Sequence, residues 1–237
     1  MVLKTISDQE KKGLTNLADA IYERCKRDPY YWMVNFAYTL NEHDGLEEST
    51  KDNDGIENFP DMPYIEEIVR VWLNEPKLLV PKSRQMMCSW VFVALYLWWA
   101  MFYPGKRIAF QSKKKEDADS MIKRAKFIYD HQPKFLKRNP INPTMRGRDI
   151  FARINFPGKN TFVPDHNSYL EAIGQGPDQT RGKTYSGFFC DEMAFQDEAQ
   201  TTYISLMPTL DRGAKFTGIS SAAAETFFKK LVFDELT

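Results

Sequence analysis

The chain has 237 residues, enough to bury the core of one large domain, and its 43% hydrophobic and 27% charged residues are typical of a soluble globular protein. A formal net charge of zero gives no sign of a polyanionic partner. The three cysteines lack paired spacing, which argues against disulfides and structural zinc and favours a reducing, intracellular compartment. The longest apolar run, 90–103, is about fourteen residues and too short to span a bilayer.

The N-terminal part of the sequence predicts a helical segment followed by a loop. Residues 8–40 place apolar side chains at helical spacing, whereas 41–60 are rich in Asp, Glu, Asn, Gly and Ser and show no periodicity. Acidic residues dominate 42–75, and basic residues dominate 106–159. A further helix is predicted from Pro63 to about residue 73, before Pro76.

After this helix the sequence alternates between strand and helix patterns. The predicted strands are 77–80, 107–111, 150–156, 161–163, 169–173, 186–190 and 216–220. The predicted helices are 89–103, 116–129, 196–206 and one that begins near 224. Strands separated by helices predict a mostly parallel sheet that is covered on both faces, with a ligand site beyond the carboxyl ends of the strands.

The segment 82–89, Lys-Ser-Arg-Gln-Met-Met-Cys-Ser, connects a predicted strand to a predicted helix, as phosphate-binding loops do. In the pattern G-x-x-x-x-G-K-[ST], Ser89 takes the position of the hydroxyl that contacts Mg²⁺. Lys82 and Met87 replace the glycines, and Cys88 replaces the lysine. Lys82 is the candidate cation, because an ammonium can also reach the phosphates from the strand side. An ordinary turn with surface cations is the alternative.

The predicted strand 186–190 is of the buried type and ends in two adjacent carboxylates, Asp191 and Glu192. An Asp at such a strand end can hold Mg²⁺ beside the Ser89 hydroxyl, and the Glu that follows can orient or deprotonate an attacking water. Acids also cap helices, so this pair alone is weak. Its position downstream of the candidate loop, with strands and helices between, favours a nucleotide site.

A third segment, 217–222, is a predicted strand that ends in Ser220, Ser221 and Ala222. If this strand lies beside the acidic one, its hydroxyls would sense a γ-phosphate and relay the loss of that phosphate to the rest of the domain. A strand that simply ends in a serine-rich turn is the alternative.

Together these segments resemble the large terminase subunits of tailed bacteriophages. Pro-Lys-Ser-Arg-Gln-Met at 81–86 is similar to the Ser-Arg-Gln phosphate loop of the family, and Cys-Asp-Glu-Met-Ala-Phe at 190–195 is similar to its acidic strand end. Residues 220–222 fall where the family has its coupling motif, and Arg-Gly at 181–182 matches an Arg-Gly that often precedes the acidic strand. The resemblance spans 59–223, with Met87 as its main departure.

The resemblance implies an α/β P-loop NTPase fold of the ASCE (RecA-like) type, with three layers and a mostly parallel central sheet. It implies an N-terminal helical extension and acidic loop at 1–58 and an ATPase domain at 59–237, without the nuclease domain that family members carry. No cleavage activity is therefore expected of this chain.

The resemblance also implies Mg²⁺-dependent ATP hydrolysis, with ATP and Mg²⁺ bound at one site. The predicted nucleotide-binding residues are Lys82, Ser83, Arg84, Gln85, Met86, Met87, Cys88 and Ser89. Glu192 would act on the attacking water, and Lys82 and Arg84 would contact the phosphates. Ser89 and Asp191 would hold the metal. An arginine supplied by a neighbouring subunit is expected, with Arg146 and Arg148 as candidates.

The family likeness implies a homo-oligomeric ring that docks on the viral portal, cooperates with the small terminase subunit and moves double-stranded DNA into the procapsid in the host cytoplasm, with no membrane partner. The predicted DNA-facing clusters are Lys113–Lys115, Lys123-Arg124 and Lys137-Arg138, against solvated helix faces as the alternative. Two other functions stay open. They are a helicase-type DNA translocase and a nucleotide-binding assembly module whose phosphate loop has degenerated.

Overall fold

A six-stranded sheet with helices on both faces forms the centre of the protein. The computed structural model describes residues 8–40, 55–84, 86–137, 161–162, 168–180 and 182–233. Its helices are α1 (Asp8–Arg27), α2 (Pro29–Phe36), α3 (Pro63–Asn74), α4 (Cys88–Phe102), α5 (Lys115–His131), α6 (Ala199–Leu210) and α7 (Phe227–Val232). Its strands are β1 (Tyr38–Leu40), β2 (Ile56–Asn58), β3 (Lys77–Pro81), β4 (Arg107–Gln111), β5 (Thr161–Phe162), β6 (Tyr169–Ile173), β7 (Gly187–Cys190) and β8 (Lys215–Ser220).

The N-terminal segment differs from the prediction of one helical stretch followed by a loop. Asp28 and Pro29 separate α1 from α2, because the Asp28 carboxylate accepts a hydrogen bond from the Tyr31 N–H (2.9 Å) and Pro29 fits only the first turn of a new helix. The chain then extends into β1, which pairs antiparallel with β2. The prediction of a helix through 40 and a loop through 60 is therefore wrong at both strands, whereas 41–54 lie outside the described residues.

The main sheet has the strand order β3-β8-β7-β4-β6-β5, in which β3, β8, β7, β4 and β6 are parallel and β5 runs antiparallel to β6. The last strand in sequence, β8, thus lies between the first strand of the sheet and the acidic strand β7. Since parallel strands place their carboxyl ends at one edge, the segments that follow β3, β7, β8 and β4 all meet there.

Alternate residues of the strands separate the core into two layers. Phe189, Phe110 and Ile219 pack with α1 to α5 on one face, whereas Phe188 and Phe216 pack with α6 and α7 on the other. The helix α4 is apolar all round and almost entirely buried, as expected of a core helix. Each fully buried large side chain stabilises the fold by about 1.5–3 kcal/mol relative to an exposed one. The three-layer α/β prediction is confirmed.

Most of the predicted elements after residue 60 occur within one or two residues of their expected bounds. The largest differences are in α6, which begins at Ala199 and runs to Leu210, and α7, which begins at Phe227. A short 3₁₀ turn, Met193–Phe195, takes the start of the predicted 196–206 helix, because Glu192 has a left-handed backbone and Gln196 is extended. The predicted strand 150–156 lies outside the described residues. In the described part of the chain, no helix combines the length and apolar character that crossing a bilayer requires.

Candidate functional site

Lys82 lies at the carboxyl edge of the sheet, in the first position after β3. Its backbone N–H donates to the Ser220 carbonyl oxygen at the end of β8 (2.9 Å), which continues the β3–β8 pairing by one residue. Its side chain is only 10% exposed, and its Nζ atom lies 3.0 Å from Oε1 of Glu192. The fold thus brings the candidate cation and the candidate catalytic carboxylate into direct contact.

Asp191 follows β7 and is largely buried, with 8% of its surface exposed. Its N–H donates to the Gln111 carbonyl oxygen (2.9 Å), and its Oδ1 accepts from the Glu192 N–H (2.8 Å). Burial raises the pKa of Asp191, while a hydrogen bond from the Ser89 hydroxyl and the charge of Lys82 oppose that rise. A buried carboxylate that is paired with a hydroxyl and a nearby ammonium is well placed to gain from a second cation.

Glu192 is held in place by side chains from two other strands. Besides Lys82, the hydroxyl of Ser221 donates to its Oε2 across 3.4 Å. The backbone of Glu192 is left-handed (φ 50°, ψ 42°), a conformation that costs a non-glycine residue about 1–2 kcal/mol and is concentrated at functional sites. The carboxylate remains 35% exposed, so it is both anchored and open to water.

The loop between β3 and α4 closes with another left-handed residue. Met87 has φ 49° and ψ 9° and immediately precedes the first residue of α4, Cys88. Cys88 is buried, and burial raises the pKa of its thiol, so this position carries no charge at neutral pH. Among Lys82, Met87 and Cys88, only Lys82 can supply the ammonium that a triphosphate requires.

The other predicted loop residues lie on the surface of the site. Ser83, Arg84 and Met86 are exposed, and the Met86 carbonyl oxygen accepts from the Tyr64 hydroxyl (3.4 Å). The described part of the chain leaves out Gln85 as well as both candidate trans arginines, Arg146 and Arg148, and also Arg138 and Arg181.

The end of β8 lies between the loop and the acidic strand, as the sequence interpretation required. The Ser220 hydroxyl accepts a hydrogen bond from the Ala194 N–H (3.1 Å) and is fully buried, whereas its carbonyl binds Lys82. Ser221 contacts Glu192, and Ala222 is exposed. The three predicted coupling positions therefore include two that bridge both halves of the site.

The donor set suits Mg²⁺ better than a metal held by the protein alone. Within the described residues, no group of three or more His, Cys, Asp or Glu side chains comes together as a metal site. Magnesium is commonly bound by one or two protein oxygens, with waters and substrate phosphates as the other ligands. The Ser89 hydroxyl beside the Asp191 carboxylate provides two oxygens of this kind.

A glutamine that the sequence interpretation missed supports the acidic strand end. The Gln196 Nε2 donates to the Asp191 carbonyl oxygen (2.8 Å) and contacts the Cys190 Sγ (3.1 Å). On the other side of Cys190, the buried Gln111 receives the thiol contact (3.7 Å) and donates to the Gly174 carbonyl oxygen (2.8 Å). No local signal distinguished Gln196, because its role depends on the 3₁₀ turn that folds it back.

A cavity of about 690 Å³ opens beside the loop. Its lining comprises Thr39, Leu40, Glu57, Asn58, Pro60, Met62, Lys82, Met86, Met87, Cys88, Ser89, Trp90 and Arg124. The sequence interpretation assigned Arg124 to a DNA-facing cluster, but the structure places it at this cavity. Phe59, a candidate for stacking on a base, is buried in the core, as core packing predicted.

Comparisons with known proteins point to one kind of fold. No protein-family model and no curated protein matches the sequence. The large terminase of bacteriophage HK97 matches with a TM-score of 0.61 and 13% identity over 89% of this chain and 41% of that one, so this chain spans well under half of its length.

Two further terminases have lower scores. The ATPase domain of the Thermus phage P74-26 large terminase gives a TM-score of 0.40 at 14% identity, over 65% of this chain and 62% of that one. The large terminase of a thermophilic bacteriophage, in complex with ADP, gives 0.39 at 13% identity, over 66% and 38%. Both scores are too low to establish a common fold, so the fold likeness rests on the HK97 protein.

Proposed function

We propose that this chain is the ATP-hydrolysing motor domain of a viral large terminase subunit. The proposal rests on the contact between Lys82 Nζ and Glu192 Oε1 at 3.0 Å, beside the Ser89–Asp191 pair. An ammonium, a hydroxyl and two carboxylates from three separate segments converge at the carboxyl edge of a parallel sheet. This is the set of groups that binding and hydrolysis of a nucleoside triphosphate require. The fold likeness to the HK97 large terminase selects the family.

Phosphate binding would fall to the start of α4 and to Lys82. The N–H groups of the first helical turn have no partners within the helix and carry the positive end of its dipole, so they attract phosphate oxygens. Lys82 would contact the β- and γ-phosphates from the strand side of the loop. Arg84 is exposed at the same loop and would add a second cation.

Hydrolysis would depend on the two carboxylates in different ways. Ser89 and Asp191 would hold Mg²⁺, which when bound neutralises phosphate charge. Glu192 would orient the attacking water and accept its proton. Ser221 fixes one carboxylate oxygen of Glu192, which limits the directions from which that water can approach. When Lys82 turns towards a triphosphate, its hold on Glu192 weakens and the carboxylate becomes available as a base.

The same proposal extends to DNA and to partners. Lys113, Lys114 and Lys115 are exposed just beyond the carboxyl end of β4, on the same edge of the sheet as the site. Cations in this position would contact phosphates of double-stranded DNA without reading its sequence. We infer a ring of copies that docks on a portal, with the small terminase subunit as a further partner and an arginine contributed from a neighbouring copy.

The decisive experiment replaces Glu192 by glutamine, which keeps the size and hydrogen-bonding capacity of the side chain. We expect Glu192→Gln to bind an ATP analogue with near-normal affinity and to lose at least about a hundredfold in ATP turnover, because a general base contributes that much or more. Phosphate release measures turnover, and calorimetry measures binding. Glu23→Gln, an exposed change on α1, is the matched control and should leave both values unchanged.

Two outcomes would contradict the proposal. Turnover by Glu192→Gln near the wild-type rate would remove the role of this carboxylate. Failure of the wild-type chain to bind the analogue with Mg²⁺ would instead favour the degenerate assembly module, which the uncharged Cys88 makes the main competitor.

A further inference from the structure

The cavity beside the loop has one wall that comes from the N-terminal hairpin. Thr39 of β1 and Asn58 of β2 line it, on neighbouring strands paired in antiparallel register. Trp90 of α4 and Arg124 of α5 form other parts of the lining, and Lys82 and Ser89 lie at the phosphate loop itself. A volume of about 690 Å³ is within the range of pockets that enclose a small organic ligand.

Thr39 carries an unsatisfied polar group at this cavity. The residue is 3% exposed, and among the described residues its Oγ1 has no hydrogen-bond partner. A buried hydroxyl without a partner destabilises a protein and is uncommon, so a binding role is a reason for its presence. A hydroxyl both donates and accepts, so one such group can bind to either kind of atom on the edge of a heterocycle.

The remaining lining suits a flat aromatic ring. The Arg124 guanidinium lies 5.1 Å from the centre of the Trp90 ring, which holds a planar cation at the wall. Met62, Met86 and Met87 add polarizable apolar surface that adapts to a planar ligand. Guanidinium groups stack on aromatic faces, so this combination of walls fits a nucleobase.

We propose that this cavity binds the base and ribose of the nucleotide, and that Thr39 is the residue that contacts the edge of the base. This inference rests on the proposed function, because the phosphate loop must hold the triphosphate at the mouth of the cavity. It moves base recognition from Tyr64, whose hydroxyl binds the Met86 carbonyl, to the hairpin. The N-terminal segment is then a part of the binding site.

The test compares two probes on the same protein. One is the non-hydrolysable analogue AMP-PNP, and the other is inorganic tripolyphosphate, which has the phosphates but no base; both are titrated calorimetrically with Mg²⁺. We expect Thr39→Val to weaken AMP-PNP binding about tenfold, the effect of one lost hydrogen bond, and to leave tripolyphosphate binding unchanged. Thr201→Val, an exposed change on α6, is the control and should affect neither probe.

Thermal unfolding of the ligand-free variants separates binding from structure. Thr39→Val removes an unpartnered hydroxyl and keeps the shape of the side chain, so its melting temperature should equal or exceed that of the wild type. Equal AMP-PNP affinity in Thr39→Val and wild type would overturn this inference alone. Equal weakening of both probes, or a lowered melting temperature, would assign Thr39 a structural role. A wild-type chain that binds neither probe would overturn the proposed function as well.

Discussion

Met87 shows how a residue can depart from a motif and still keep its geometry. In the phosphate-loop pattern this position is a glycine, which adopts positive φ at no steric cost. Met87 has φ 49° and ψ 9°, so the loop retains the backbone that a glycine would favour. The side chain is tolerated because it is half-buried at the cavity wall. The substitution therefore adds local strain without removing the loop.

Replacing Met87 by glycine and by alanine should separate this strain from side-chain packing. Both changes remove the same methionine contacts, but only glycine relieves the left-handed backbone. We expect Met87→Gly to exceed Met87→Ala in free energy of unfolding by about 1 kcal/mol, measured by urea titration. Its neighbour Met86 does not have positive φ, so there the order should reverse. A more stable Met87→Ala than Met87→Gly would show that this backbone position is unstrained.

At the scale of elements, β8 connects the two halves of the site. It pairs with β3 on one side and β7 on the other. Beyond its end, the Ser220 carbonyl binds Lys82, the Ser220 hydroxyl binds the Ala194 N–H, and Ser221 contacts Glu192. A shift of β8 would therefore move the cation and the acidic turn together.

The two serines at the end of β8 should respond differently to alanine. Ser220→Ala leaves the buried Ala194 N–H without its acceptor and should lower the free energy of unfolding by about 1–3 kcal/mol. Ser221→Ala removes only a long contact from a half-buried side chain, so its stability should change by less than about 0.5 kcal/mol while ATP turnover falls. Urea titration and phosphate release measure the two effects. A normal rate in Ser221→Ala would show that Glu192 needs no support from β8.

At the scale of the whole molecule, ligand binding and folding are linked. The site draws on β3, β7, β8 and the start of α4, which are distant in sequence and come together only in the folded chain. A ligand held by all of them binds the folded state and not the unfolded one. Its binding free energy therefore adds to the stability of the entire domain.

We expect Mg²⁺ with AMP-PNP, at a hundred times its dissociation constant, to stabilise the wild-type chain by about 2.7 kcal/mol. For a protein of this size the melting temperature should rise by about 5–10 °C, measured by differential scanning calorimetry. Lys82→Ala should lose most of this rise, because the only buried ammonium at the described site is gone. Glu192→Gln should keep it. An equal rise in Lys82→Ala and wild type would place the triphosphate elsewhere.

Much of the architecture could be predicted because its signals are local. The strands β3, β4 and β6 are continuous apolar runs of the length typical of buried strands, and α4 is too long and apolar to be anything but a core helix. The acidic pair after β7 was identified by its place at a strand end. The N-terminal hairpin was missed, because strands of three residues such as β1 and β2 are too short to show a period.

The order of helices and strands, the buried residues and the chemical character of Lys82, Asp191 and Glu192 could all be inferred from neighbouring residues along the chain. Two features could not. One is the position of β8 between β3 and β7, which places Ser220 and Ser221 at the centre of the site. The other is the cavity at the N-terminal hairpin, where Thr39 meets the loop. Both depend on which distant surfaces pack together, and periodicity within a segment carries no information about its partner.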